Sequence, residues 1–139
     1  MFYYNCQINL FRPFIRLEMI DSDKQPKQIC INAANNISKL LRLCVKTYGL
    51  KRVGFLYTHC VMTATILHLY NVANTTRETE ESEANLCEAI RALCEMKSSF
   101  PIVERYLRSI RSLTLDWCPQ GVPQVSMSRS LFSIPTIFE

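Results

Sequence analysis

The chain has 139 residues, 48% of them apolar, with three glycines, six prolines and a net charge of +4. This excludes low-complexity, collagen-like and charge-driven disordered classes and leaves one domain or part of one, able to bury about two thirds of its unfolded surface. Residues 1–76 carry nine Lys and Arg against three acids, while 77–139 carry seven against nine, so neither half is a basic tail that would speak for direct DNA contact.

Seven cysteines stand at 6, 30, 44, 60, 87, 94 and 118, an odd number with no C-x-x-C pair. That is a reduced, intracellular pattern. The opening MFYYNCQINLF has no basic n-region and no small-residue cleavage site, so no signal peptide is expected.

In chain order, residues 2–11 carry apolar side chains at helical spacing and stop at Arg12-Pro13, since proline disfavours helix at its predecessor. This reads as the last turns of a helix whose upstream portion is missing. Arg16 to Gln28, with Asp21, Ser22, Asp23 and Pro26, reads as a connecting loop. From about Lys27 to Tyr48, Ile29, Ala33, Ile37, Leu40, Leu41, Cys44 and Tyr48 recur every three or four residues. They predict an amphipathic helix closed by Gly49, with Lys39, Arg42 and Lys46 on a solvated face.

Val53 to Thr76 holds no charged residue between Arg52 and Arg77, and its Leu, Met and Ala content favours helix, from about Gly54 to Ala73. At about 100° per residue, Thr58, His59, Thr63, Thr65, His68 and Asn71 scatter around the axis. A helix apolar nearly all round is a buried one. The rival reading, a single membrane span flanked by Lys51 and Arg52, would leave two histidines, several threonines and Asn71 facing lipid with no second span to satisfy them.

Glu78, Glu80, Glu81 and Glu83 precede SEANLCEAIRALCEMK, where acids suit the positive end of a helix of about four turns. Ser98 and Ser99 before Pro101 read as a cap and a first-turn proline. The next helix, PIVERYLRSIRSLTLDW, sets Val103, Tyr106, Leu107, Ile110, Leu113, Thr114 and Trp117 on one stripe, with Trp117 as core anchor. Residues 119–139, rich in proline and serine, are expected to be an irregular tail.

The chemistry-bearing residues do not assemble into a catalytic or metal site. His59 and His68 fall on opposite sides of a helix, about 13 Å apart along its axis, too far to share an ion. Cys87 and Cys94 share a face but stand about 10.5 Å apart, beyond disulfide reach, and read as small core residues. Cys60 and His59 are adjacent on a helix, so their side chains diverge, and nothing supplies an oxyanion hole. No glycine-rich phosphate loop or repeat is present.

The ordered segments FYYNCQINLFRPF, CINAANNISKLL, YGLKRVGFLYTHCVMTATILHLYN and SLTLDW resemble the C-terminal part of the regulatory domain, often called the middle homology region, of fungal binuclear zinc cluster transcription factors. The resemblance covers about residues 2–118. It is carried by the Arg12-Pro13-Phe14 element closing a helix, the Ala33-Ala34 helix and the buried helix after it. Tyr48 to Leu50 and Thr58 to Cys60 are similar to the nitrate-regulator-like branch. It implies an all-α fold, nuclear action, and control of RNA polymerase II transcription by a module that restrains or relays activation, in some members through a bound small molecule. The family's N-terminal cluster of six closely spaced cysteines, which holds two zinc ions and places a helix in the DNA groove, has no counterpart among these seven. No zinc or DNA ligand is carried over, and DNA contact is expected only indirectly.

Together these readings predict an all-α, irregular bundle of about five helices around a buried central helix, forming a partial domain over 1–118. It has no catalytic residue, no cofactor of its own and no membrane contact. Its expected partners are other transcription-regulatory proteins or the rest of the same factor. A small effector, if one binds, would meet His59, Thr63 and His68 on the buried helix. The alternative is a stand-alone helical interaction module or truncated fragment without DNA binding.

Overall fold

The computed structural model describes residues 1–18, 20, 25–50, 53–74 and 79–118. Five α-helices account for most of them: α1 (Phe2–Phe11), α2 (Pro26–Thr47), α3 (Phe55–Asn74), α4 (Thr79–Met96) and α5 (Ile102–Trp117). A 3₁₀ turn at Arg12–Phe14 follows α1, because Pro13 has no N–H to continue the α ladder. No strand occurs among the described residues, so the all-α expectation holds.

The scatter of apolar side chains around α3 has a direct cause, since α3 feeds two cores. One side gives Ala64 and Leu67 to a cluster with Ile8 of α1 and Cys30, Ala33, Ala34 and Ile37 of α2. The other gives Val61, Met62 and Leu69 to a larger cluster with Leu86, Ile90, Leu93 and Met96 of α4 and Val103, Leu107 and Ile110 of α5. Alanines at 33, 34 and 64 leave room for close approach between α2 and α3. A helix clasped from both sides has little surface left for charge.

Two of the three threonines inside α3 satisfy themselves locally, while Thr58 Oγ1 donates to Met96 Sδ on α4 at 3.6 Å. Thr63 Oγ1 donates to the His59 carbonyl at 3.0 Å and Thr65 Oγ1 to the Val61 carbonyl at 2.7 Å, the back-bonding that lets a hydroxyl sit in an apolar setting. No described helix is long and apolar enough to cross a membrane, so the single-span alternative finds no support among the described residues.

α2 ends as expected at glycine. Tyr48 caps it, and Gly49 takes φ +70°, the left-handed conformation that L side chains resist. The reversal drops Leu50 into the larger core.

Several local expectations are corrected. α2 begins at Pro26, inside the stretch expected to be loop, because proline is pre-organised for the first helical position. Tyr48 belongs to the cap and not to the buried stripe, and is 76% exposed. α4 starts at Thr79, so Glu80 and Glu81 lie within its first turn. Neither Ser98 nor Ser99 caps α5. Pro101 is its N-cap, no side chain bonds there, and Ser98 Oγ donates back to the Glu95 carbonyl at 3.3 Å.

Trp117 is no core anchor. It sits at the last position of α5, 38% exposed, edge-on to Tyr70 with ring centroids 6.2 Å apart. Cys87 and Cys94 are half-buried and pack against the larger core from its margin. The expected irregular tail at 119–139 lies outside the described residues.

Candidate functional site

The densest polar arrangement lies where α2, α3 and α4 meet. His68, on α3, is buried, and its Nε2 stands 2.8 Å from Ser38 Oγ on α2. Its ring also hydrogen-bonds the Ala34 backbone. A neutral imidazole has one donor and one acceptor nitrogen. The tautomer sets which of the two donates in the contact with Ser38, and through Ser38 and Ala34 the ring is tied to α2. Burial, reinforced by the nearby Arg42 charge, lowers the His68 pKa from its ordinary 6.5 to about 4, the Ala34 bond opposing them.

One turn further along α2, Arg42 reaches across to α4. Its Nε donates to Glu88 Oε2 at 2.6 Å and its Nη2 to Asn85 Oδ1, while Asn85 Nδ2 donates to Asn35 Oδ1 at 3.3 Å. Arg42 was expected on a solvated face. It is half-exposed and bridges two helices, a role that spacing along α2 alone does not reveal. Asn71 on α3 donates through Nδ2 to Ser82 Oγ on α4 at 2.6 Å.

The three residues expected to line an effector pocket do not converge. His59 is exposed, its ring 6.5 Å from that of Tyr106 on α5. Thr63 is buried and its hydroxyl is engaged within α3, while His68 faces α2. A cavity of about 390 Å³ lies elsewhere, at the C-terminal end of α2, lined by Cys44, Thr47, Tyr48, Val53 and Tyr57. Its most constrained group is Tyr57, whose hydroxyl donates to the Leu40 carbonyl at 3.4 Å; burial first, and then the hydrogen bond with Cys44, push that phenol well up.

The chemistry available here is packing and hydrogen bonding. Ser38 and His68 have the contact of a nucleophile and base, and both side chains are buried. All seven cysteines are free thiols. Burial pushes those of Cys30, Cys60, Cys87, Cys94 and Cys118 up, away from the thiolate that zinc requires. No group of three or more His, Cys, Asp or Glu among the described residues could hold a metal ion.

Two curated relatives match. The nitrogen assimilation transcription factor nit-4 of Neurospora crassa is 33% identical over 120 residues, 84% of this chain and 11% of that protein. The nitrogen assimilation transcription factor nirA of Emericella nidulans is 31% identical over 121 residues, again 84% of this chain and 13% of that protein. The chain is related to a segment of fungal nitrogen assimilation transcription factors. This agrees with the resemblance carried by the segments from FYYNCQINLFRPF to SLTLDW. The chain spans little more than a tenth of the length of these transcription factors. No family model matches the chain, and no solved structure matches it.

Proposed function

We propose that the chain is a regulatory segment of a fungal RNA polymerase II transcription factor, acting in the nucleus through packing with other parts of the factor or with regulatory proteins. It carries out no catalysis and meets DNA only through a partner or a linked domain. Support comes from the relatives, both transcription factors, matched across most of this chain. The observation that carries the mechanism is the double clasp on α3. A shift imposed at α1 or α2 displaces α3 and so repacks α4 and α5, because close-packed cores do not deform continuously.

In this reading His59 is the member of the effector triad that a small molecule reaches first, since it alone faces solvent. Thr63 and His68 become accessible only when α3 moves. Fusing the full chain to a heterologous DNA-binding domain in a fungal host tests the proposal. Reporter transcription should differ from that of the DNA-binding domain alone and should change with nitrogen source. Output identical to the bare domain under every nitrogen source would sink it.

A further inference from the structure

The cavity of about 390 Å³ between the end of α2 and the start of α3 is lined by Cys44, Thr47, Tyr48, Val53 and Tyr57. Its volume lies within the range of small-molecule sites, about 300–1,000 Å³. None of the five side chains is charged, and two are aromatic. The turn at Gly49 explains the aromatic wall: it sends Leu50 into the larger core, while Tyr48 just before it joins neither core cluster and stays largely exposed.

Two of the three lining hydroxyls are committed in one hydrogen-bonding sense. Thr47 Oγ1 donates to the Leu43 carbonyl at 2.8 Å, and the Tyr57 hydroxyl donates to the Leu40 carbonyl at 3.4 Å. A hydroxyl whose proton goes to a carbonyl has only lone pairs left to offer. Tyr57 also hydrogen-bonds Cys44, which leaves the Thr47 oxygen as the freer acceptor. The C-terminus of α2 adds partial negative charge at the same end.

We propose that this cavity binds a small, neutral, planar aromatic molecule carrying an N–H or O–H donor, its ring against Tyr48 and Tyr57 and its donor on the Thr47 oxygen. A wholly apolar molecule would displace water from the lining oxygens without replacing its hydrogen bonds, and an anion would face their lone pairs. Lys51 and Arg52 stand between Leu50 and Val53 in the chain, outside the described residues, so an anion is tested directly. The site is separate from His59, Thr63 and His68. It is measured on the purified chain, so its failure is distinguishable from failure of the transcriptional reading.

Three probes are titrated into the isotope-labelled full chain and followed by backbone amide shifts. Indole has the ring and the donor, benzofuran has the same shape with an oxygen in place of the N–H, and an indole carboxylate adds negative charge. With indole, Thr47, Tyr48, Gly49 and Val53 should shift together with a Kd of about 0.1–1 mM, ordinary for so few atoms. Amides around Trp117 should stay fixed, because Trp117 packs on Tyr70, about 20 Å along α3 from Tyr57. Benzofuran should bind about fivefold more weakly, and Thr47→Val should remove most of that difference. Tyr48→Ala should weaken both probes about fivefold. Both substitutions are at exposed positions, and circular dichroism confirms that the variants remain folded. The proposal is overturned by the absence of a localised shift across the millimolar range, or by equal affinity for indole and benzofuran. A tenfold preference for the carboxylate, or a Thr47→Val variant that keeps the full difference between the two rings, overturns it as well.

Discussion

Ser38 Oγ lies 2.8 Å from His68 Nε2, joining α2 to α3 inside the protein although thirty positions separate them in the chain. Burial, reinforced by the Arg42 charge, holds His68 neutral in the folded state, while the unfolded chain protonates near the ordinary value of 6.5. Above that pH both states are neutral and the group contributes no pH dependence. As pH falls from 6.5 through about 4, the unfolded state takes up a proton that the folded state refuses, so stability is lost. The full loss is about 3 kcal/mol. Urea unfolding at pH 7.5, 6, 5 and 4.5 should show this slope, and His68→Gln should flatten it. An unchanged slope in the variant would assign the acid sensitivity to other groups.

The Arg42 bridge should divide unequally. Arg42 and Glu88 are each more than a third exposed, so a double-mutant cycle with Arg42→Met and Glu88→Gln should give a coupling below about 1 kcal/mol that fades in high salt. Asn85 is buried and bonds both Arg42 and Asn35, so Asn85→Ala should destabilise by about 1–3 kcal/mol with little salt dependence. Equal effects of the two changes would mean that the ion pair, and not the amide, ties α2 to α4.

Gly49 separates conformation from space. A Cβ there would meet no atom within 4 Å, yet φ is +70°. Gly49→Ala should therefore lower stability by about 1 kcal/mol through backbone strain alone, read as a shift in the urea midpoint without a change in slope. A neutral substitution would show that the turn relaxes into another conformation.

Trp117 gives a local optical probe, since the chain has one tryptophan. Part-exposed and edge-on to Tyr70, it should be readily quenched by acrylamide in the folded protein. Trp117→Ala should cost about 1 kcal/mol, well short of the 3–5 kcal/mol of a buried aromatic. A larger loss would mean that the end of α5 is held more firmly than its exposure indicates.

The sequence made α3 readable because its signal is an absence: an uncharged stretch of that length, rich in Leu, Met and Ala, has few options in water besides burial. The end of α2 was equally plain, since Gly49 supplies a backbone conformation other residues resist. Trp117 was misjudged because periodicity gives a direction around a helix and not a depth, and the end of a helix can point inward yet overhang the core. The three α3 positions expected to line a pocket had the right chemistry, but a single helix does not specify what faces it. The family relationship was legible because the order and spacing of short segments persist where no single motif is distinctive.

What the sequence determined by itself is the set of helices, the glycine stop of α2 and the burial of α3, all of which follow from local propensity and from the presence or absence of charge within one turn. Tertiary structure decided the pairings: Ser38 with His68, Arg42 with Glu88 and Asn85, Asn71 with Ser82. It also decided which side of α1 faces the core. α1 is apolar on both sides, so hydrophobic periodicity offers no choice between them, and only the fit of Ile8 against Cys30, Ala33 and Ile37 sets the orientation.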